Sequence, residues 1–152
     1  MHQPEPFDVI VVGGGNAALC AAISAREHGA RVLVLERAPA EDRGGNSSYT
    51  EGLMRFVYTG LEDIRRLAPD VSDEEVAKSD FGAYSEDEFF DDMARVTQNR
   101  TDPDLCEILV KQSNPDVHWL RTQGVRFLPL FGRAAYNFNG RFRFWGGAIM
   151  AT

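Results

Sequence analysis

The sequence predicts an α/β fold, and three features of its first 36 residues carry that expectation. Phe7-Asp8-Val9-Ile10-Val11-Val12 is a β-branched run of strand length that breaks at Gly13-Gly14-Gly15, where glycine admits the backbone angles of a tight turn. From Asn16 to about His28 the residues favour helix (Ala17, Ala18, Leu19, Ala21, Ala22, Ile23, Ala25), and Gly29 stands where a left-handed C-terminal cap belongs. Arg31-Val32-Leu33-Val34-Leu35-Glu36 reads as a second strand. Strand, glycine turn, helix and strand within about 30 residues form a βαβ unit.

In that setting the spacing Gly13-x-Gly15-x-x-Ala18 gains chemical meaning. Gly13 allows the turn out of the strand, Gly15 lets backbone approach a pyrophosphate without an intervening Cβ, and Ala18 is small enough for close packing of helix on strand. Phosphates would sit on free N–H groups at the helix N-terminus, where the helix dipole also favours negative charge. Glu36, at the end of the second strand, is placed to accept hydrogen bonds from adenosine ribose hydroxyls, and its charge would repel the 2′-phosphate of NADP. These residues predict a Rossmann-like dinucleotide-binding unit.

Composition narrows the setting. The chain has 152 residues, 43% hydrophobic and 26% charged, with no apolar run of membrane-spanning length. The N-terminus lacks a basic region and a secretory apolar core, which predicts a cytoplasmic protein without membrane insertion. Cys20 and Cys106 have no partner at metal-ligand or CxxC spacing and are expected to be buried small hydrophobes, so no metal site is expected. The net charge of -7 is unevenly spread: residues 1–116 carry -12, whereas residues 117–152 carry five arginines and no carboxylate. That basic block could serve an anionic ligand or pack against the acidic part. Its aromatic–arginine alternation suggests single-stranded nucleic acid, but the acidic pI near 4.9 and the absence of a recognisable module argue against it.

Downstream, Leu53 to Tyr84 is acidic, interrupted by Pro69, with a short helix from Asp73 begun by Ser72 and Glu75 in capping-box spacing. Ser85 and Glu88 open a clearer helix whose Phe89 and Met93, and Phe90 and Ala94, stack toward a core. Thr101-Asp102-Pro103 predicts a capped helix with Leu105, Ile108 and Leu109 on one side. Asp116 is expected to cap a separate short helix through Trp119 and Leu120 that stops at Gly124, before a strand at Val125–Leu128. His118 is expected to be a satisfied surface or core histidine. A hairpin across Asn139-Gly140 would explain the aromatic–arginine alternation.

Past Glu36, the loop Arg43-Gly44-Gly45-Asn46-Ser47-Ser48-Tyr49-Thr50-Glu51-Gly52 resembles the Gly-Gly-Asn-Ser/Thr/Ala loop of the fumarate reductase and succinate dehydrogenase flavoprotein family. The resemblance implies FAD as cofactor, with Ala17, Glu36, Gly45, Asn46, Ser47 and Gly52 on the family's FAD contacts beside Gly13, Gly15 and Ala18. Asn46 stands where members with covalent flavin carry histidine, which implies noncovalent FAD. Glu51 departs from the small residue usual there. Residues 13–20, Phe89–Gln98, Arg100–Leu105 and Phe144-Trp145-Gly146-Gly147 are similar to the branch of this family that dehydrogenates tricarballylate to cis-aconitate, passing hydride to FAD and electrons on to a separate iron-sulfur protein. A small polycarboxylate substrate would suit the arginine-rich end, with Arg141 and Arg143 as candidates for attracting it.

Family members are about three times this long, with proton-transfer residues on a cap domain and later segments, and no side chain here is a convincing catalytic base. The expectation is therefore an incomplete dinucleotide-binding domain: residues 6–52 a βαβ unit plus flavin loop, residues 53–152 a helical insertion and strand region, and no cap, so that the fragment alone is inactive. Other readings stay open: a related flavoprotein of the fumarate reductase, ketosteroid dehydrogenase or corrinoid-pathway kind, or a truncated, non-catalytic FAD-binding module.

Overall fold

In a computed structural model, residues 6–152 are described, and they form two compact units that divide between Glu51 and Gly52. In the first, β1 (Val9–Val12) and β2 (Val32–Leu35) pair in parallel with Val9 opposite Val32 and Val12 opposite Leu35, joined by α1 (Asn16–Glu27). This is the α/β, Rossmann-like unit expected from the sequence. Val9 and Val11 are half-buried, while Ile10 and Val12 on the alternate face are exposed. The end of α1 follows from Gly29: its φ of +85° lets Gly29 N–H reach Arg26 O at 3.0 Å and Ala30 N–H reach Ala25 O at 3.1 Å, the paired bonds of a Schellman cap.

The second unit contains two small sheets and four helices. In one sheet β8 (Ala148–Ala151) lies between β3 (Leu53–Arg55) and β5 (Phe127–Pro129), antiparallel to both. In the other, β7 (Arg141–Phe144) lies between β4 (Ser79–Asp80) and β6 (Ala135–Phe138). The β6–β7 hairpin turns where the sequence places it, with Asn139 at φ +52° and Gly140 at +81°, the left-handed pair that a two-residue turn between twisted strands needs. Helices α2 (Leu61–Leu67), α3 (Asp73–Ala77), α4 (Glu86–Thr97) and α5 (Pro103–Thr122) complete the unit. Phe56, Leu67, Val110, Phe127 and Ile149 are its fully buried centre.

Three helix starts form as the sequence predicts. Ser72 with Glu75 and Ser85 with Glu88 both make complete capping boxes, and Asp102 accepts from Asp104 N–H and Leu105 N–H ahead of Pro103. One boundary differs. Instead of a break and a new helix capped by Asp116, α5 runs unbroken through Pro115. Proline removes one helical N–H and disfavours helical angles in the residue before it, at a cost of about 3 kcal/mol, so tertiary bonds must hold the helix there. Ser113 Oγ accepts from Val57 N–H at 3.0 Å, Asn114 Nδ2 donates to Val57 O at 2.9 Å, and Arg121 donates to Leu67 O at 3.1 Å. The core face of α5 is not the side that carries Leu105, Ile108 and Leu109: Cys106, Val110, Ser113 and Val117 are buried, while those three are exposed.

Two further expectations are corrected. Cys20 is only half-buried, with its thiol 3.9 Å from Asn16 Oδ1, whereas Cys106 is buried as expected. His118 is half-buried, but its Nε2 is buried and has no hydrogen-bond partner, so it is not satisfied. Among the described residues no helix is long and apolar enough to cross a membrane.

Gly147 tests the packing where β7 passes into β8. At φ +63°, a Cβ there would lie 2.3 Å from Tyr84 Cδ1 and 2.7 Å from Phe56 O. Urea unfolding of Gly147→Ala should therefore show a loss of roughly 3 kcal/mol from strain and overpacking together. Gly29→Ala, with φ +85° but open space around the new Cβ, should lose only about 1 kcal/mol. Equal losses would mean that crowding at Gly147 is relieved by movement.

Asp92 links three partners: Arg55, Tyr84 (2.8 Å) and Arg95 (2.6 Å). The Arg95 and Tyr84 hydrogen bonds hold its carboxyl below the usual value, and burial together with Asp92 pushes the Tyr84 phenol up to about 12. A carboxyl with a depressed folded pKa adds stability that is fully present above its unfolded pKa of about 3.9 and is lost as pH falls through the folded value. Asp92→Asn should cost about 1 kcal/mol at pH 7, with the gap to the parent protein narrowing in urea titrations below about pH 4. A gap independent of pH would assign the loss to packing.

Candidate functional site

The site is built where β1 gives way to α1. Gly13 leaves the strand at φ +115°, its N–H donating to Leu35 O at 2.7 Å, and a Cβ built on it would be 3.8 Å from the Ala18 Cβ. Ala18 thus stands against the glycine turn at ordinary contact distance. Gly15 is the N-cap of α1 in extended conformation, with no side chain to accept the first helical N–H groups. Apart from Asn16 N–H, which a side chain of the following loop takes, that leaves the positive end of the helix open for an anion.

The loop after β2 comes back to this point. Gly44 and Gly45 both have positive φ, +103° and +54°, and lead into a 3-10 turn over Gly45–Tyr49. The turn carries Ser47 over the start of α1, where Asn16 N–H donates to Ser47 Oγ at 2.9 Å. The two segments meet at Gly15: a Cβ there would stand 3.3 Å from Gly44 O and 3.4 Å from Ser47 Oγ. Ala17, Gly45 and Asn46 are exposed around this junction.

Glu36 stands on the other side of the glycine turn. Ala38 N–H donates to its Oε1 at 2.9 Å, and its Oε2 is 2.7 Å from where a Cβ on Gly14 would be. Backbone N–H groups of Ala38, Arg37 and Gly14 hold the carboxyl below its ordinary value, so it remains a charged acceptor throughout the neutral range. A cavity of about 420 Å³ opens here, lined by Val12, Gly13, Leu35, Glu36 and Arg37.

The first unit thus brings together Gly13, Gly15, Ala17, Ala18, Glu36, Gly45, Asn46 and Ser47. Gly52 belongs to the second unit and has a structural reason to be glycine: at φ +70° its Cβ would fall 2.2 Å from Ala151 O, at the end of the β3–β8 ladder. Glu51, the departure noted in the sequence, has φ +54°, which explains why a small residue suits that position. Arg141 and Arg143 are also in the second unit; Arg141 donates to Ser79 O at 2.8 Å, and Arg143 pairs with Asp80 at 3.3 Å while lying over the Phe138 ring. Gly14, Arg37 and Gly44, which the sequence reading does not single out, also stand here: Gly14 against Glu36, Arg37 in the cavity wall and Gly44 O over Gly15. Gly44 had a signal in its glycine pair, whereas Gly14 and Arg37 act through backbone position, which side-chain chemistry does not reveal.

A cofactor with a pyrophosphate and a ribose fits these residues: an open helix N-terminus, a cradle that a Cβ at Gly15 would narrow, and a charged ribose acceptor beside a cavity. The comparisons agree. The FAD binding domain family model matches residues 8–143. A fumarate reductase (cytochrome) of Shewanella frigidimarina is 29% identical over 144 residues, covering 95% of this chain and 22% of the relative. A vinyl phenol reductase of Lactiplantibacillus plantarum is 34% identical over 129 residues, 84% of this chain and 22% of the relative. A 3-oxo-5-alpha-steroid 4-dehydrogenase of Comamonas testosteroni is 45% identical over 65 residues, 43% of this chain and 11% of the relative. The chain spans about a fifth of the length of the first two and about a tenth of the third. With most of its length matched by the family model, the chain belongs to the FAD binding domain family, and its cofactor is FAD.

Proposed function

We propose that this chain supplies the FAD-holding part of a flavin-dependent oxidoreductase that dehydrogenates tricarballylate to cis-aconitate. The observation that supports the cofactor role is the meeting of the Gly13–Gly15 turn with the Gly44–Ser47 loop at the N-terminus of α1. In this reading the first-turn N–H groups of α1 beyond Asn16 and the backbone of Gly13 and Gly15 hold the pyrophosphate, with Ala17 and Ala18 lining the first turn of the helix. Glu36 accepts from the ribose hydroxyls. Gly45, Asn46 and Ser47 line the path toward the flavin, Gly52 is a contact on the resemblance alone, and with Asn46 rather than histidine in the loop the attachment is noncovalent. Bound FAD supplies a two-electron acceptor for hydride.

The substrate rests on the resemblance of Phe89–Gln98 and Phe144–Gly147 to tricarballylate-oxidising members. The relatives found by comparison carry redox names but differ in substrate, so they support the oxidoreductase class. A fumarate reductase-like reading is the alternative, favoured by a match that extends over 95% of the chain. Arg141 and Arg143 are proposed to draw in a polycarboxylate, and a separate iron-sulfur protein to receive the electrons. Proton transfer is assigned to no residue of this chain.

Glu36→Gln should keep the fold and weaken FAD binding roughly tenfold, the scale of a lost charge-assisted hydrogen bond, as measured by flavin fluorescence on titration into the purified chain. Because Glu36 stays ionised, its contribution should be constant from about pH 6 to 8. Unchanged affinity in the variant would remove Glu36 from the site.

The reaction is tested anaerobically with the FAD-loaded oxidoreductase that contains this chain. Tricarballylate should bleach the oxidised flavin's visible absorption, and half-bleaching should need more substrate in an Arg141→Ala, Arg143→Ala double variant. No bleaching by tricarballylate, together with reoxidation of pre-reduced flavin by fumarate, would replace this reading with the alternative. Equal half-bleaching concentrations would remove the two arginines from substrate binding.

A further inference from the structure

A second cavity, of about 470 Å³, lies wholly within the second unit and apart from the residues assigned to FAD. Its wall includes Arg66 from α2, His118, Arg121 and Thr122 from the C-terminal end of α5, and Arg126 from the segment leading into β5. Four basic side chains and no carboxylate line it. Nothing in the proposed oxidoreduction uses these residues.

Two structural uses for the cations are present, and both leave capacity over. Asp63 takes Arg66 and Asp70 takes Arg126 in ion pairs, and Arg121 donates to Leu67 O. Asp63 is occupied on its other oxygen by Thr59 N–H and Thr59 Oγ1, both at 2.8 Å. A guanidinium has five N–H donors in a planar fork, so one acceptor for each of Arg66, Arg121 and Arg126 leaves further donors for a ligand. The helix C-terminus also attracts cations, but its partial charge of about half an electron does not account for three guanidiniums.

The second observation is His118. Its Nε2 is buried and has no hydrogen-bond partner, an arrangement that costs on the order of 1–3 kcal/mol unless something satisfies it. Burial, reinforced by the Arg66 and Arg121 charges and opposed by Asp63, lowers the imidazole pKa, so the ring is neutral at pH 7 when the cavity is empty. A neighbouring negative charge would reverse the two repulsions.

We propose that Arg66, His118, Arg121 and Arg126 form a binding site for a small multiply charged oxyanion, a phosphate- or polycarboxylate-bearing metabolite, separate from the cofactor site. Arginine forks match the paired oxygens of either group, and the His118 imidazole in the cavity wall lies where the charge of a bound anion acts on it. The volume accommodates a molecule of several carboxylates or a phosphorylated small metabolite.

The test uses the full chain saturated with FAD, so that the cofactor site cannot capture the probe, at constant ionic strength, because loosely held anions exchange with salt. Inorganic phosphate and citrate are titrated separately by calorimetry, and the His118 ring is followed by NMR across pH with and without each probe. One-to-one saturable binding is expected, weakened about tenfold in Arg66→Gln and in Arg126→Gln, with the His118 titration displaced to higher pH by the bound anion. Binding of phosphate alone identifies a phosphate-bearing ligand and binding of citrate alone a polycarboxylate; either upholds the site. Absence of saturable binding, affinity unchanged in both variants, or a His118 titration that does not move overturns it. If either variant fails to fold, the NMR displacement in the unsubstituted chain decides the question.

Discussion

Around α1 the structure depends on two stretches of backbone coming closer than side chains would allow. Gly15 faces the carbonyl of Gly44 and the hydroxyl of Ser47 at distances that leave a methyl group almost no slack, while Gly13 turns out of β1 with a positive φ. Once those positions lack side chains, other features follow. Ser47 can accept from Asn16 N–H from a distant part of the chain while the rest of the α1 N-terminus stays open, and Glu36 can gather backbone N–H groups on the other side of the turn. Each of these contacts presents either a donor or a fixed charge at the place where a pyrophosphate and a ribose have complementary needs.

The second unit meets a different constraint, the irregular backbone between β3 and α2. Val57 lies there, and both of its polar backbone groups are satisfied by side chains of α5, Ser113 accepting and Asn114 donating. Buried Ser113 is satisfied on both sides, its hydroxyl donating to Val110 O at 2.7 Å while accepting from Val57 N–H, and the serine becomes the point at which helix and loop register. The same helix reaches α2 through Arg121 and Leu67 O. These ties lie on either side of Pro115, which is how a helix can carry a proline in its interior without ending.

Local chemistry was therefore legible and non-local chemistry was not. Ser72, Ser85, Asp102, Gly29 and Asn139-Gly140 act within a few residues of themselves, and each forms the cap or turn that its sequence neighbours imply. Pro115-Asp116 reads locally as a helix boundary, and only partners about 57 positions away in sequence overrule it. Leu105, Ile108 and Leu109 share one apolar side, yet α5 turns Cys106, Val110, Ser113 and Val117 inward, a stripe whose serine hides it from a count of hydrophobic residues. At the cofactor site, the glycine motif and the Asn46-Ser47 loop were legible as separate signals. Their meeting at Gly15 is tertiary information, as is the need for glycine at position 52, where the backbone of β8 comes within contact distance.

The uneven distribution of charge has a similar explanation. In the sequence, the arginines after Asp116 suggest either an anionic ligand or packing against the acidic part. In the structure, Arg121 donates to Leu67 O, Arg126 pairs with Asp70, Arg141 donates to Ser79 O and Arg143 pairs with Asp80. Four arginines from the basic end thus join a stretch of fourteen residues, 67–80, in the acidic part, so the asymmetry along the chain becomes pairing within one unit. Exposed pairs of this kind contribute little to stability, and most of these arginines keep donors in reserve. A guanidinium that is already oriented by one protein acceptor loses less freedom when it takes a second from a ligand. Structural pairing and anion recognition are therefore compatible uses of the same side chain. They differ in whether a neighbouring polar group is left without a partner, as His118 Nε2 is beside Arg66 and Arg121.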